Sequence, residues 1–119
     1  MWLPRQVHAQ RIVSRIDAMR DAGLVDEVRA LAAAPGALSR SAAQAIGYRE
    51  MLAYLHGEVP TVEIALDMIV RRTRAFARRQ RMWFRRDPRI TWLGTAGDPQ
   101  RMLAIVRALW PSDTAVAAA

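Results

Sequence analysis

The chain has 119 residues, 52% of them hydrophobic, no cysteine and a formal net charge of +7. That length fits one small domain or part of a larger one, with roughly 65% of the unfolded surface available for burial and therefore a thin core. The composition excludes a disulfide framework, a thiolate metal site and a cysteine nucleophile; the apolar runs fall well short of the ~18 residues of a membrane span, and the first ten residues lack a signal-peptide core, so a soluble, cytoplasmic protein with no membrane partner is expected.

Pro4 stands where a helix can begin. Over residues 5–22, Ala9, Ile12, Ile16 and Met19 recur at helical spacing, and His8, Arg11 and Arg15 share another face. Gly23 supplies the left-handed turn that ends this helix. Residues 24–34 read as a second helix with Val28, Leu31 and Ala32 inward, broken by Pro35-Gly36. Ser41 and Gln44 have the spacing of a capping box. A third helix is expected from there to about His56, with Ala45, Tyr48, Leu52 and Leu55 on one stripe and Gly57 ending it. Thr61 can cap a fourth and longest helix over residues 62–86, stopped by Asp87-Pro88. Ile90-Thr91-Trp92-Leu93 is a short run of β-favouring residues. Asp98-Pro99 opens a last helix to about Trp110, and residues 111–119 read as a small-residue, flexible tail. The expected fold is mainly α, about five helices with one short strand, Ile90 to Leu93. Nothing else in the chain reads as a partner for that strand, so it is expected to join a sheet supplied by other sequence.

The charge concentrates on the fourth helix and its exit. Residues 71–89 hold nine arginines (71, 72, 74, 78, 79, 81, 85, 86 and 89) and one acid, Asp87, a segment of +8. The remaining hundred residues are close to neutral. At about 100° per residue, Val62, Ala65, Leu66, Ile69, Thr73, Phe76, Gln80 and Trp83 fall on one face. Arg71, Arg74, Arg78, Arg81 and Arg85 form a second stripe, and Arg72, Arg79 and Arg86 a third. Such density repels itself, and phosphate relieves it because guanidinium binds phosphate bidentately. The ordinary alternative is a solvated basic face. Arginine in place of lysine, alongside 22 alanines, is also what a GC-rich genome produces, so the position of the charge carries the argument and the residue type does not.

Three blocks of residues add a resemblance. Gln44-Ala45-Ile46-Gly47-Tyr48-Arg49-Glu50 with Tyr54, Leu55, Gly57 and Glu58, then Arg71-Arg72-Thr73-Arg74 with Phe76-Ala77-Arg78-Arg79-Gln80 and Trp83-Phe84-Arg85, and upstream of both Arg11-Ile12, Arg15-Ile16 and Met19 with Gly23 to Arg29, resemble the signature of the tRNA dimethylallyltransferase (tRNA isopentenyltransferase) family in its order and spacing. The resemblance places the chain, over residues 1–110, in the C-terminal portion of that family. It implies transfer of a dimethylallyl group from dimethylallyl diphosphate to the N6 amine of the adenine beside the tRNA anticodon, position 37. It also implies a P-loop-type α/β core that the short strand would join. The departure is large: the six glycines are dispersed and lysine is absent, so no phosphate-cradling loop is present. The family's N-terminal acidic base and its Mg2+ ligands have no counterpart among these residues either. Mg2+ is thus expected for the full-length family and not held by this chain. The missing N-terminal P-loop portion becomes an expected partner, and the chain alone is expected to be inactive. The rival readings are a stand-alone basic helical RNA-binding module without catalysis and an unstable remnant.

The resemblance also assigns roles. Arg15 matches an arginine that contacts the diphosphate, where a guanidinium stabilises charge growing on the leaving group; its ordinary alternative is a surface arginine. Gln44, Gly47, Tyr48 and Arg49 match a segment that contacts tRNA near the anticodon loop. Gln44 is equally a cap and Tyr48 equally a core contact, whereas Arg49 leans to phosphate binding. Arg71, Arg74, Arg78, Arg79 and Arg81 are candidate contacts to tRNA or diphosphate. Gln80, inside the apolar seam, reads better as a satisfied buried amide, and Trp83 and Phe84 as core or core-domain contacts. His8 reads as a surface residue and His56 as a helix-end residue, neither in a metal constellation.

Overall fold

A computed structural model describes residues 4–34, 36, 38–93 and 98–109. The chain divides into two compact units, one spanning Pro4–Ile90 and the other containing the residues from Thr91 onward. The first holds α1 (Arg5–Asp21), α2 (Leu24–Ala33), α3 (Arg40–Ala43), α4 (Tyr48–Leu55) and α5 (Val62–Arg85); the second holds α6 (Pro99–Leu109).

Helical periodicity locates α1, α2, α5 and α6 to within a residue or two. Gly23 takes φ +96° between α1 and α2, so the chain reverses in two residues and delivers Leu24 into the core. Thr61 Oγ1 accepts from Ile64 N at 3.3 Å and starts α5. Asp98 Oδ1 accepts from Gln100 N at 2.9 Å ahead of α6.

The expected third helix is two. Ser39, not Ser41, caps α3, its hydroxyl accepting from Ala42 N at 3.1 Å, and Gln44 ends α3 rather than boxing its start. Gly47 adopts φ +106° and ψ −63° and α4 begins after it. A helix cannot pass through a residue at positive φ. The restart also moves the buried face: Glu50 and Met51 are the buried residues of α4, Tyr48, Leu52 and Leu55 are partly buried, and Ala45 is exposed.

Ile90-Thr91-Trp92-Leu93 forms no strand. The Ile90 N–H is instead taken by the Asp87 carbonyl at 3.2 Å, in the turn that leaves α5. The mainly α class stands, with six helices among the described residues. The expected break at Pro35 and the tail over residues 111–119 lie outside the described residues.

The core of the first unit is small: Ile12, Ile16, Leu24, Val28, Met51, Val59, Ala65, Leu66 and Ile69. α4 and α1 both pack on α5, and α2 closes over α4 and α1. α1 runs antiparallel to α5. Arg74 of α5 meets the Ala9 carbonyl, Arg81 feels the charge of Arg5, and at the other end Arg20 feels Glu63. Only the first half of the α5 seam is covered. Ala65, Leu66 and Ile69 are buried, while Phe76, Met82, Trp83 and Phe84 are exposed, Trp83 to 66%. Gln80, expected as a buried amide, is exposed, because α4 has ended before that point on the helix. Met19, at helical spacing with Ile12 and Ile16 on α1, is exposed too.

This division predicts unequal costs of truncation. Met51→Ala should cost about 3 kcal/mol in a denaturant titration, whereas Trp83→Ala should stay within about 0.5 kcal/mol; comparable losses would mean that the end of α5 is core. Gly47→Ala should cost about 1–2 kcal/mol by the same measurement, although no atom lies within 4 Å of the added Cβ, because the penalty is in the backbone.

Candidate nucleic-acid interface

The turn between α3 and α4 is built by a glycine and a buried acid. Gly47 has no side chain to cap α4, and the Glu50 carboxylate turns back to supply the contact, Oε2 accepting from Gly47 N at 2.8 Å. Glu50 is 1% exposed. Its other oxygen lies 2.8 Å from Nη1 of Arg72 on α5, an ion pair without hydrogen-bond alignment. On the opposite side, the Tyr48 hydroxyl donates to Glu27 Oε1 of α2 at 2.6 Å. That bond, then the Glu27 charge, then burial push the Tyr48 phenol above its ordinary range. The turn is thus tied to α2 and α5 from within, and it presents Gln44, Ala45, Ile46 and Arg49 to solvent.

The arginines of α5 and of its exit separate by what they touch. Arg71 pairs with Asp67 one turn earlier, both side chains exposed, an arrangement worth little in stability. Arg72 is spent on Glu50. Arg74 Nη2 donates to the Ala9 carbonyl at 3.5 Å and borders a shallow groove with Gln6, Ala9, Gln10, Val13 and Ser14 of α1. Arg89 grips Asp87 through three N–H donors, at 2.7, 2.9 and 3.0 Å; the grip holds the Asp87 carboxyl below its usual range and leaves no other acid in residues 71–89. Arg78, Arg79 and Arg86 are exposed and form no ion pair with a described residue. Arg81 is half-buried, and burial first, then the charges of Arg85 and Arg5, hold its guanidinium below the ordinary range. In the second half of the helix and at its exit, Arg78, Arg79 and Arg86 are thus a positive surface that pairs with no acid among the described residues.

Arg15 sits mid-helix on α1 and is exposed, between the buried Ile12 and Ile16. His8 is exposed, and His56 closes α4 as its C-cap residue. Trp83 and Phe84 meet edge to face with ring centroids 4.9 Å apart, exposed beside the arginines. Among the described residues no three His, Asp or Glu side chains gather to hold a metal ion. They do not fit a magnesium site, and no chemistry here passes through one. No helix of the described residues is long and apolar enough to cross a membrane.

The structure brings Gln44, Gly47, Tyr48 and Arg49 into one turn, and sets Arg71, Arg74, Arg78, Arg79 and Arg81 along one helix. It does not bring Arg15 to the turn. Sequence reasoning missed Glu50 and Arg72, the pair that joins the turn to the helix. Two signals were present. Glu50 is the only acid between Glu27 and Glu58 and stands three residues after a glycine, the N3 position of a capped helix. Arg72 borders the apolar face at about 60° from Ile69, whereas the Arg71 stripe lies on the far side.

Comparison with known proteins gives this geometry a family. The family model described as IPP transferase matches residues 1–87. A tRNA dimethylallyltransferase from Salinispora arenicola is 52% identical over 88 residues, covering 74% of this chain and 25% of that protein. One from Streptomyces avermitilis is 51% identical over 102 residues, covering 82% of this chain and 32% of that protein. The crystal structure of a full-length tRNA isopentenylpyrophosphate transferase from Bacillus halodurans superposes with a TM-score of 0.80 at 37% identity, over 89% of this chain and 35% of that one. A tRNA delta(2)-isopentenylpyrophosphate transferase from Staphylococcus epidermidis gives 0.78 at 30% identity, over 89% and 34%. The chain spans between a quarter and about a third of the length of these relatives. Carrying the family's fold and its sequence together, the chain belongs to the IPP transferase family.

Proposed function

We propose that this chain supplies the tRNA-facing part of a tRNA dimethylallyltransferase acting in the cytoplasm. The reaction joins the N6 amine of adenine 37 to the allylic carbon of dimethylallyl diphosphate. The allylic C–O bond breaks, diphosphate leaves with its electron pair, and the amine gives up a proton. Arg15 holds the departing diphosphate, where a fixed guanidinium stabilises the growing charge. Gln44 addresses a base edge and Arg49 a phosphate of the anticodon loop, the usual division between readout and positioning. Tyr48 serves the same segment by anchoring it, since its hydroxyl is engaged by Glu27. Arg78, Arg79 and Arg81, with Arg71 and Arg74, follow the RNA backbone.

The observation that carries this reading is the second half of α5, with Arg78, Arg79 and Arg86 exposed beyond the reach of the described acids. A solvated basic face would be expected to scatter its charge among acids. The single acid of residues 71–89 is already engaged by Arg89.

The phosphate loop, the base and the magnesium ligands of the family's chemistry are read as lying outside this chain, whose sequence has no lysine and no Gly-rich loop and whose described residues gather no metal-binding cluster. They belong to the N-terminal portion of such an enzyme, and the exposed Phe76, Trp83 and Phe84 are the apolar surface on which that portion would rest. The chain by itself binds RNA and does not transfer the prenyl group. In that state it behaves as the stand-alone RNA-binding module that is the second reading of its sequence, a reading favoured by the same exposed Arg78, Arg79 and Arg86.

Titration of an anticodon stem-loop RNA with the purified chain tests this. Binding should weaken steeply with salt, log K falling by about 0.7 to 0.9 per phosphate neutralised for each log unit of salt. Replacing Arg78 and Arg79 with alanine should flatten that slope by about one to two of these increments. The chain incubated with tRNA and dimethylallyl diphosphate should transfer nothing. Salt-independent binding would remove the phosphate reading, and prenyl transfer by the chain alone would contradict its incompleteness.

A further inference from the structure

Glu50 has no role in any contact assigned above to RNA, yet it is the most deeply buried charged side chain among the described residues, at 1% exposure. A carboxylate is removed from water only at a cost that its partners must offset. Both partners here are structural: the Gly47 N–H at 2.8 Å and the Arg72 guanidinium at 2.8 Å. The first sets the entry to α4. The second comes from α5 and lies on the stripe that continues to Arg79 and Arg86. Each step of seven residues along that stripe advances about 10 Å. One carboxylate therefore fixes the distance and orientation between the exposed residues 44–46 of the turn and the exposed arginines. A serine or threonine cap would hold the turn without involving α5, so the choice of an acid at position 50 couples the two surfaces.

We propose that Glu50 is a positioning residue for RNA recognition: clamped between the Gly47 N–H and the Arg72 guanidinium, its carboxylate places Gln44 and Arg49 in register with the arginine stripe of α5. The proposal rests on the reading that this chain binds anticodon stem-loop RNA. Arg72 is consequently withdrawn from the RNA contacts, although it stands in the densest part of the charge, and its worth to binding is indirect.

The test uses the full 119-residue chain, with two measurements: affinity for an anticodon stem-loop RNA across a salt series, and amide hydrogen exchange of the free protein. Glu50→Gln keeps the shape and an acceptor for Gly47 and removes the charge that Arg72 meets. It should weaken RNA binding about tenfold, leave the salt slope as in the wild type because no phosphate contact is deleted, and speed exchange over residues 47–50 while α1 exchanges as before. Arg72→Gln, on a side chain 40% exposed, should reproduce this pattern and serves if Glu50→Gln does not fold. Arg72→Lys, which keeps the charge, should recover most of the affinity. Faster exchange throughout the first unit, with affinity falling only in step with stability, would overturn the positioning role and leave Glu50 a stability residue. If the wild type binds with the expected salt slope and Glu50→Gln binds equally well, the positioning role alone falls; a wild type that binds no stem-loop overturns it together with the proposed function.

Discussion

The burial of Ala65, Leu66 and Ile69 of α5 in the cluster built by α1, α2 and α4 determines where everything else in the first unit points. A helix buried on one face over its first half must carry its remaining faces outward. On this helix those faces are arginine. The contact is small, with nine buried apolar residues among those described, and it stops before the helix does. Beyond Thr73 the apolar stripe continues through Phe76 to Trp83 with nothing among the described residues of the unit to cover it. The same rod is thus core at one end and exposed at the other.

Electrostatics follows from that geometry. Where α5 is still flanked by the rest of the unit, its arginines find partners: Asp67, the Glu50 carboxylate and the Ala9 carbonyl. Past that region, Arg78, Arg79 and Arg86 reach water, and Arg81 stands among like charges. Under the proposed function, a polyanion would relieve self-repulsion of this kind. Glu50 marks the boundary between the two regimes. It uses one arginine of the basic helix as a structural strut and ties the α3–α4 turn to that helix.

Much of this was legible in the residues. The periodicity of Ile12 with Ile16, and of Ala65, Leu66 and Ile69, gave α1 and α5 their faces, and the caps at Thr61 and Asp98 gave their helices their starts. The charge segment could be counted directly. What periodicity could not reveal is how far along a helix its neighbours reach, so Gln80 and Trp83 lay on the right stripe and still face solvent. Nor could it reveal the break at Gly47, where the apolar spacing of Tyr48, Leu52 and Leu55 runs smoothly back to Ala45 although the backbone does not. The Glu50–Arg72 pair joins residues 22 positions apart, a tertiary fact that no local pattern encodes. The Gln44 to Arg49 block was recognised through its resemblance to a family. Only the structure accounts for the glycine and the glutamate within it.

The central claim, that one continuous surface from the α3–α4 turn to the end of α5 meets RNA, is tested most directly by photocross-linking an anticodon stem-loop to the chain and mapping the modified residues by mass spectrometry. The account requires cross-links within residues 44–49 and within residues 78–86, with none on the outer face of α2. Cross-links confined to α2, or to the turn alone with α5 untouched, would contradict it.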